Sequence, residues 1–214
     1  MKKVLLIGDS IRMGYDKYVK SALADAAEVY YPEENTRFAQ YILRYASNWK
    51  KTLELPADID LVHWNAGLWD VLELFGDEPL TPPEFYENMI LRIHKRLRFL
   101  FPNAKIVFAT TTAVIENECK SDFKRRNAVI EDYNARAIKV LSDTDAIIND
   151  MYSVTKDCPA ECHSDAVHFG TTEGRLLTAS PVISVICKEL SISASEVNMQ
   201  VFEPEKYTAE NIGV

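Results

Sequence analysis

Short apolar runs rich in β-branched residues alternate along the chain with longer stretches in which apolar positions recur every three or four residues. Val4 to Ile7, Glu28 to Tyr31, Ile59 to Trp64, Lys105 to Thr110 and Ala146 to Asn149 read as strands. Several are apolar without alternation, as a sheet covered on both faces requires. The helical stretches are roughly Asp16 to Ala27, Arg37 to Lys51, Pro82 to Phe101, Phe123 to Ser142 and Glu173 to Leu190. Pro82 and Pro83 after Thr81 fit a capped first turn, and Pro102-Asn103 fits a stop. This alternation predicts right-handed crossovers and an α/β three-layer sandwich with a five-stranded parallel sheet, flavodoxin-like in arrangement. No repeat or linker divides residues 1–214, which read as one domain with a C-terminal extension from about 191 to 214. That extension has weak periodicity and a proline, Pro204, in its middle. It has three readings: packing on the domain, reaching a second subunit of a homo-oligomer, or remaining loose.

Composition narrows the classes. The chain of 214 residues is 47% hydrophobic and 26% charged, which excludes disordered, collagen-like and disulfide-dense proteins. Its 24 Lys and Arg against 32 Asp and Glu give a net charge of −8, unfavourable next to a phosphate backbone, so no nucleic-acid partner is expected. The basic run Lys124-Arg125-Arg126 falls inside a helical pattern and reads as a solvated helix face. Two N-terminal lysines precede an apolar run of only four residues, Val4 to Ile7, short of the ~7–15 of an export signal. No stretch approaches the ~20 apolar residues of a membrane span. A cytoplasmic location with no membrane partner is the expectation. Cys119, Cys158, Cys162 and Cys187 lack framework spacing and read as free thiols.

Ligands of open α/β sheets bind beyond the carboxyl ends of the strands, so the residues after each run carry the chemical interest. The first strand ends in Gly8-Asp9-Ser10, where a glycine allows a sharp turn and the serine hydroxyl sits at the sheet edge; helix capping is the plain alternative. A serine nucleophile needs a base, and the base an orienting carboxylate. Of four histidines, His94 lies among Arg92, Lys95 and Arg96 and reads as a surface residue, and His63 reads as a packed core residue. His168 follows Asp165 by three residues, a spacing that lets one tight turn join carboxylate and imidazole while the other ring nitrogen faces Ser10. The third strand ends in Asn65-Ala66-Gly67-Leu68-Trp69-Asp70, and Asn65 is a candidate oxyanion donor beside the Ser10 N–H. The polar turn Glu33-Glu34-Asn35-Thr36-Arg37 offers further backbone donors, with capping by Asn35 or Thr36 as the alternative.

These residues resemble the blocks of the SGNH hydrolases, the GDSL-type esterase and lipase superfamily. Gly8-Asp9-Ser10 is similar to the first block, and Asp165-Ala166-Val167-His168 to the fifth, bracketing nearly the whole chain. The resemblance implies Ser10, His168 and Asp165 as a catalytic triad, no cofactor and no metal. The family's second block donates a glycine N–H, but no glycine stands between Gly14 and Gly67, which leaves the N–H of Asn35 as the nearest substitute. The third block, Gly-x-Asn-Asp, is matched by Gly67-Leu68-Trp69-Asp70 with Trp69 in place of asparagine, and Asn65 stands in for the missing amide.

A short-chain, acetyl-type ester of a carbohydrate is the expected substrate, with Trp64, Trp69 and Tyr15 as candidates for stacking on a sugar ring. Arg12 and Arg37 flank the site and suit either an anionic substrate or ion pairs with Glu33, Glu34 or Asp70. Lysophospholipase or thioesterase activity and a non-catalytic flavodoxin-like binding module are the rival readings. A metal site from Cys158, Cys162 and His163 departs from the common zinc spacings.

Overall fold

Val4, Leu5, Leu6 and Ile7 are all buried, as a run without alternation demands of a strand with helices on both faces. In the computed structural model, which describes residues 1–212, this strand is β1 (Lys2–Ile7), at the heart of a parallel sheet. There follow α1 (Ser10–Ala22), β2 (Ala27–Tyr30), α2 (Ala39–Thr52), β3 (Leu61–Trp64), β4 (Glu73–Leu74) and α3 (Pro83–Leu100). The second half holds β5 (Lys105–Ala109), β6 (Phe123–Lys124), α4 (Asn127–Leu141), β7 (Ile147–Asn149), α5 (Met151–Thr155), α6 (Thr172–Leu190) and a final turn, α7 (Ala209–Ile212). The sheet runs β2-β1-β3-β5-β7, every pair parallel, the doubly wound order expected for a flavodoxin-like sandwich. Helix α1 packs on α6, while α2, α3 and α4 pack in series.

Register brings distant residues together. Ile7 pairs with Trp64, so Gly8 and Asn65 leave the sheet side by side, joined by the Asn65 N–H donating to the Ile7 carbonyl at 3.1 Å. The N–H of Thr36 reaches the Gly8 carbonyl at 3.2 Å, which brings the polar turn after β2 to the same edge.

Three expectations are corrected. The run Lys124-Arg125-Arg126 precedes α4 instead of lying on it: Lys124 is in β6, paired antiparallel with β4, Arg125 is buried, and Arg126 pairs with Glu73 at 2.6 Å. The two-residue strands β4 and β6 lie too far apart in sequence, and are too short, to leave a periodic signal. His94 is buried instead of exposed, its Nε2 bonded to Asp145 at 2.9 Å, because its helical neighbours Ile90, Ile93 and Leu97 share its inward face. Trp64 and Tyr15 are buried against Phe108 and His63, so neither presents a face to a sugar. The extension takes the first of its readings: Phe202 stacks with Tyr18 of α1, Glu203 pairs with Lys17 at 2.6 Å, and Arg175 of α6 sits over the Phe202 ring.

Candidate active site

Asp9 caps α1, its side chain accepting from the Ile11 N–H at 3.0 Å, and Ser10 opens the helix. The Ser10 N–H therefore lies in the first helical turn, without an intrahelical acceptor and at the positive end of the helix dipole. Arg12, one turn on, braces the turn from within. It donates to the carbonyls of Gly8 and Glu34 and pairs with Asp16 at 2.5 Å, not with Glu33, Glu34 side chains or Asp70. Gly8 is required here: a Cβ would stand 2.0 Å from Asn65 Oδ1 and 2.7 Å from Arg12 Cβ.

The loop after α5 carries the other two members. Asp165 Oδ1 accepts the N–H groups of Val167 and His168, both at 2.8 Å, which folds Asp165 to His168 into one tight turn. The His168 carbonyl accepts from the Ser164 N–H at 2.8 Å, and Gly170 makes room for Ser164, whose Oγ would stand 2.1 Å from a Cβ. Within this frame His168 Nδ1 donates to Asp165 Oδ2 at 2.8 Å, and Nε2 accepts from the Ser10 hydroxyl at 2.8 Å. Ser10 is 3% and His168 2% exposed. Burial pushes the Asp165 carboxyl up, but the hydrogen bond and charge of His168 and the two backbone N–H groups outweigh it and hold the pKa at about 2. An ionised Asp165 in turn fixes the proton on Nδ1, leaving Nε2 free to take one from Ser10.

Across from Ser10, Asn65 lies beside Asp9 at the end of β3. Burial raises the Asp9 carboxyl, opposed by the Asn65 amide, the Ile11 N–H and the charges of His168 and Arg125. A cavity of about 10 Å³, space for about one water, is lined by Asp9, Asn65 and Thr112. Asp9 Oδ2, Asn65 Oδ1 and Thr112 Oγ1 have no hydrogen-bond partner among the described residues. Asp70 is buried and serves α2, accepting from the Ala39 N–H at 3.2 Å. Gly67, at φ 150°, gives way to Thr111, whose Oγ1 would stand 1.9 Å from a Cβ.

The Asn35 side chain is engaged elsewhere: Nδ2 donates to the Ile212 carbonyl at 2.8 Å and Oδ1 accepts from the Arg37 N–H. Arg37 is exposed and stacks over Tyr41, forming no ion pair among the described residues. Tyr207 of the extension donates its hydroxyl to the Ser10 carbonyl at 3.1 Å and meets the His168 ring edge-on at 6.0 Å. A larger cavity of about 530 Å³ opens beside Asp165, between the β4–β6 pair and the loop of Ala166 and Val167.

Solved structures match this chain along most of its length. They include the lipase/acylhydrolase from Enterococcus faecalis (16% identity over 92% of this chain and 100% of that one, TM-score 0.68). A GDSL-like lipase from Bacteroides thetaiotaomicron (17%, 87% and 88%, 0.63) and an acetyl xylan esterase (19%, 86% and 99%, 0.63) match in the same way. The fold is that of the SGNH hydrolases. No family model matches the sequence, and no curated protein matches it.

Within the SGNH fold, the first and fifth blocks meet as hydrogen-bonded neighbours, whereas the second and third do not follow the family pattern. Trp69 stands where the third-block asparagine is expected, and Asn65 reaches the Gly8–Ser10 turn because β1 and β3 are in register at Ile7 and Trp64. Three residues escaped the sequence reading: Arg125, hidden in what looked like a helix face, and Tyr207 and Ile212 in the weakly patterned extension. His163 sits with Nε2 3.2 Å from Cys158 Sγ and its ring on Phe169, and the described residues hold no cluster of three or more metal-ligating side chains. No helix among them is long and apolar enough to cross a membrane.

Proposed function

We propose that this chain is a carboxylic ester hydrolase acting through Ser10, His168 and Asp165, with short acyl groups, acetyl foremost, as substrates. The observation that carries the reading is the continuous path Asp165–His168–Ser10, two hydrogen bonds of 2.8 Å ending on a serine at a helix N-terminus. Ser10 Oγ attacks the ester carbonyl as His168 Nε2 takes its proton. The carbonyl oxygen becomes an oxyanion, received by the Ser10 N–H and the Asn65 amide. His168 then protonates the leaving alcohol, and water, activated by the same imidazole, releases the acid from the acyl-enzyme.

One observation favours a small acyl group on a carbohydrate: the likeness in fold to an acetyl xylan esterase. Of the three aromatic residues considered for stacking, only Trp69 is partly exposed. A longer acyl chain is the second reading, favoured by the apolar walls of the 530 Å³ cavity. A p-nitrophenyl ester series from acetate to decanoate separates the two. Hydrolysis falling with chain length and abolished in Ser10→Ala is expected; activity rising with chain length replaces the first reading with the second, and an undiminished Ser10→Ala overturns both.

A further inference from the structure

Two arginines are buried among the described residues, and they are not equivalent. Arg12 has the carboxylate of Asp16 and two main-chain carbonyls. Arg125, 3% exposed, donates Nε–H to the Leu68 carbonyl at 2.6 Å and stands 5.1 Å over the Phe123 ring. It forms no ion pair, and its Nη1 is buried with no hydrogen-bond partner among the described residues. A buried guanidinium without an acceptor is costly, and folded chains retain one where something else supplies the acceptor. Burial lowers the Arg125 pKa, but only to about 10, so the group is charged at neutral pH.

Arg125 lines the 530 Å³ cavity, a volume within the ~300–1,000 Å³ of small-molecule sites. The same cavity is lined by Asp165, so its occupant lies beside the catalytic carboxylate. Leu74, Phe75, Phe123 and Val167 make its walls apolar. Its other charges, Glu118, Lys120 and Asp122, are all exposed at the rim, where water screens them. Arg125 lies in this wall, and its buried Nη1 is the nitrogen left without an acceptor among the described residues. A plain acyl tail would leave it unpaired. One free nitrogen behind a rim with two carboxylates suits a monoanion better than a doubly charged phosphate.

We infer that this cavity receives a carboxylate carried by the ester substrate, and that Arg125 is the residue selecting it. The inference rests on the hydrolase reading for the identity of the ligand as a substrate. The carboxylate belongs either to the acyl group or to the leaving alcohol, and matched pairs of esters distinguish these. Monophenyl succinate against methyl phenyl succinate probes the acyl side. 4-Acetoxybenzoate against its methyl ester probes the alcohol side.

The readout is the ratio of kcat/KM for the charged and neutral members of each pair, which cancels general damage to the enzyme. In the native protein the ratio for one pair is expected to be about tenfold to a hundredfold, the size of a hydrogen bond to a charged group. In Arg125→Gln it should fall to about one, and Arg125→Lys, which keeps the charge but loses the fork, should lie between. Ratios at or below one for both native pairs, or a ratio untouched by Arg125→Gln, overturn the inference while leaving the hydrolase reading intact. Calorimetric titration of 4-acetoxybenzoate and monophenyl succinate into Ser10→Ala keeps the two apart. Arg125-dependent binding without turnover in the native protein sinks the hydrolase reading and supports the carboxylate site. If Arg125→Gln fails to fold, Arg125→Lys and the native titration decide: carboxylate binding no tighter than that of the methyl esters overturns the site.

Discussion

The two sides of Ser10 are built differently. On the side of Asp165 and His168, carboxylate, imidazole and hydroxyl are linked, and the turn that holds them is closed by backbone N–H groups. On the side of Asn65, Asp9 and Thr112, buried polar atoms line a small cavity without partners among the described residues. Buried polar groups are normally satisfied, so the contrast has a meaning. By the function we propose, the proton-transfer side is complete before substrate arrives, and the opposite side offers the Asn65 amide N–H to a developing oxyanion.

Mutations sharpen this contrast. Removing the finished side should have the largest effect: Ser10→Ala or His168→Ala should lower kcat about 10⁴-fold or more in p-nitrophenyl acetate hydrolysis, with the melting temperature barely changed. Asp165→Asn should cost about 10²- to 10⁴-fold, because the amide no longer holds the proton on Nδ1. On the unfinished side Asn65→Ala should cost about 10²- to 10³-fold in kcat with KM little changed, the mark of an interaction made in the transition state. An Asn65 variant that raises KM alone would reassign it to ground-state binding.

Smaller effects test the frame. Tyr207→Phe removes one hydroxyl bond to the Ser10 carbonyl and should cost about 1 kcal/mol of stability by denaturant titration, with less than about tenfold in kcat. Burial pushes the Asp70 carboxyl up to about 7, and Thr81 and the Ala39 N–H only partly oppose it. The folded chain then keeps a proton that the unfolded chain releases near the usual aspartate value. Asp70 therefore stabilises most below that value, and the contribution is lost as pH rises towards 7. Burial likewise raises Asp16, to about 6, and adds to the same slope. Asp70→Asn should flatten the fall in melting temperature between about pH 4 and 7. An unchanged slope would mean that Asp70 is ionised throughout.

How much of this the residues announced depends on the scale of the interaction. The strands were legible because each is a continuous apolar run, and their order followed from alternation with helices. Ser10, Asp165 and His168 were legible because each has a fixed spacing to a neighbour: glycine two before the serine, carboxylate three before the imidazole. Helix α1 begins at Ser10 and not at Asp16 because Asp9 caps it, the plain alternative that the same three residues offer beside their chemistry. Arg125 was misread because its burial depends on β4, some fifty residues away, which no local pattern records. The engagement of Asn35 by Ile212 was invisible for the same reason.

The account's central claim is that Ser10 is an activated nucleophile. Labelling with a fluorophosphonate, read by mass spectrometry of the intact chain and its peptides, tests this directly. The account predicts one covalent adduct on Ser10, formed rapidly in the native protein and at least about 10²-fold more slowly in His168→Ala. A native chain that stays unlabelled, labels on another residue, or labels equally fast without the imidazole would contradict it.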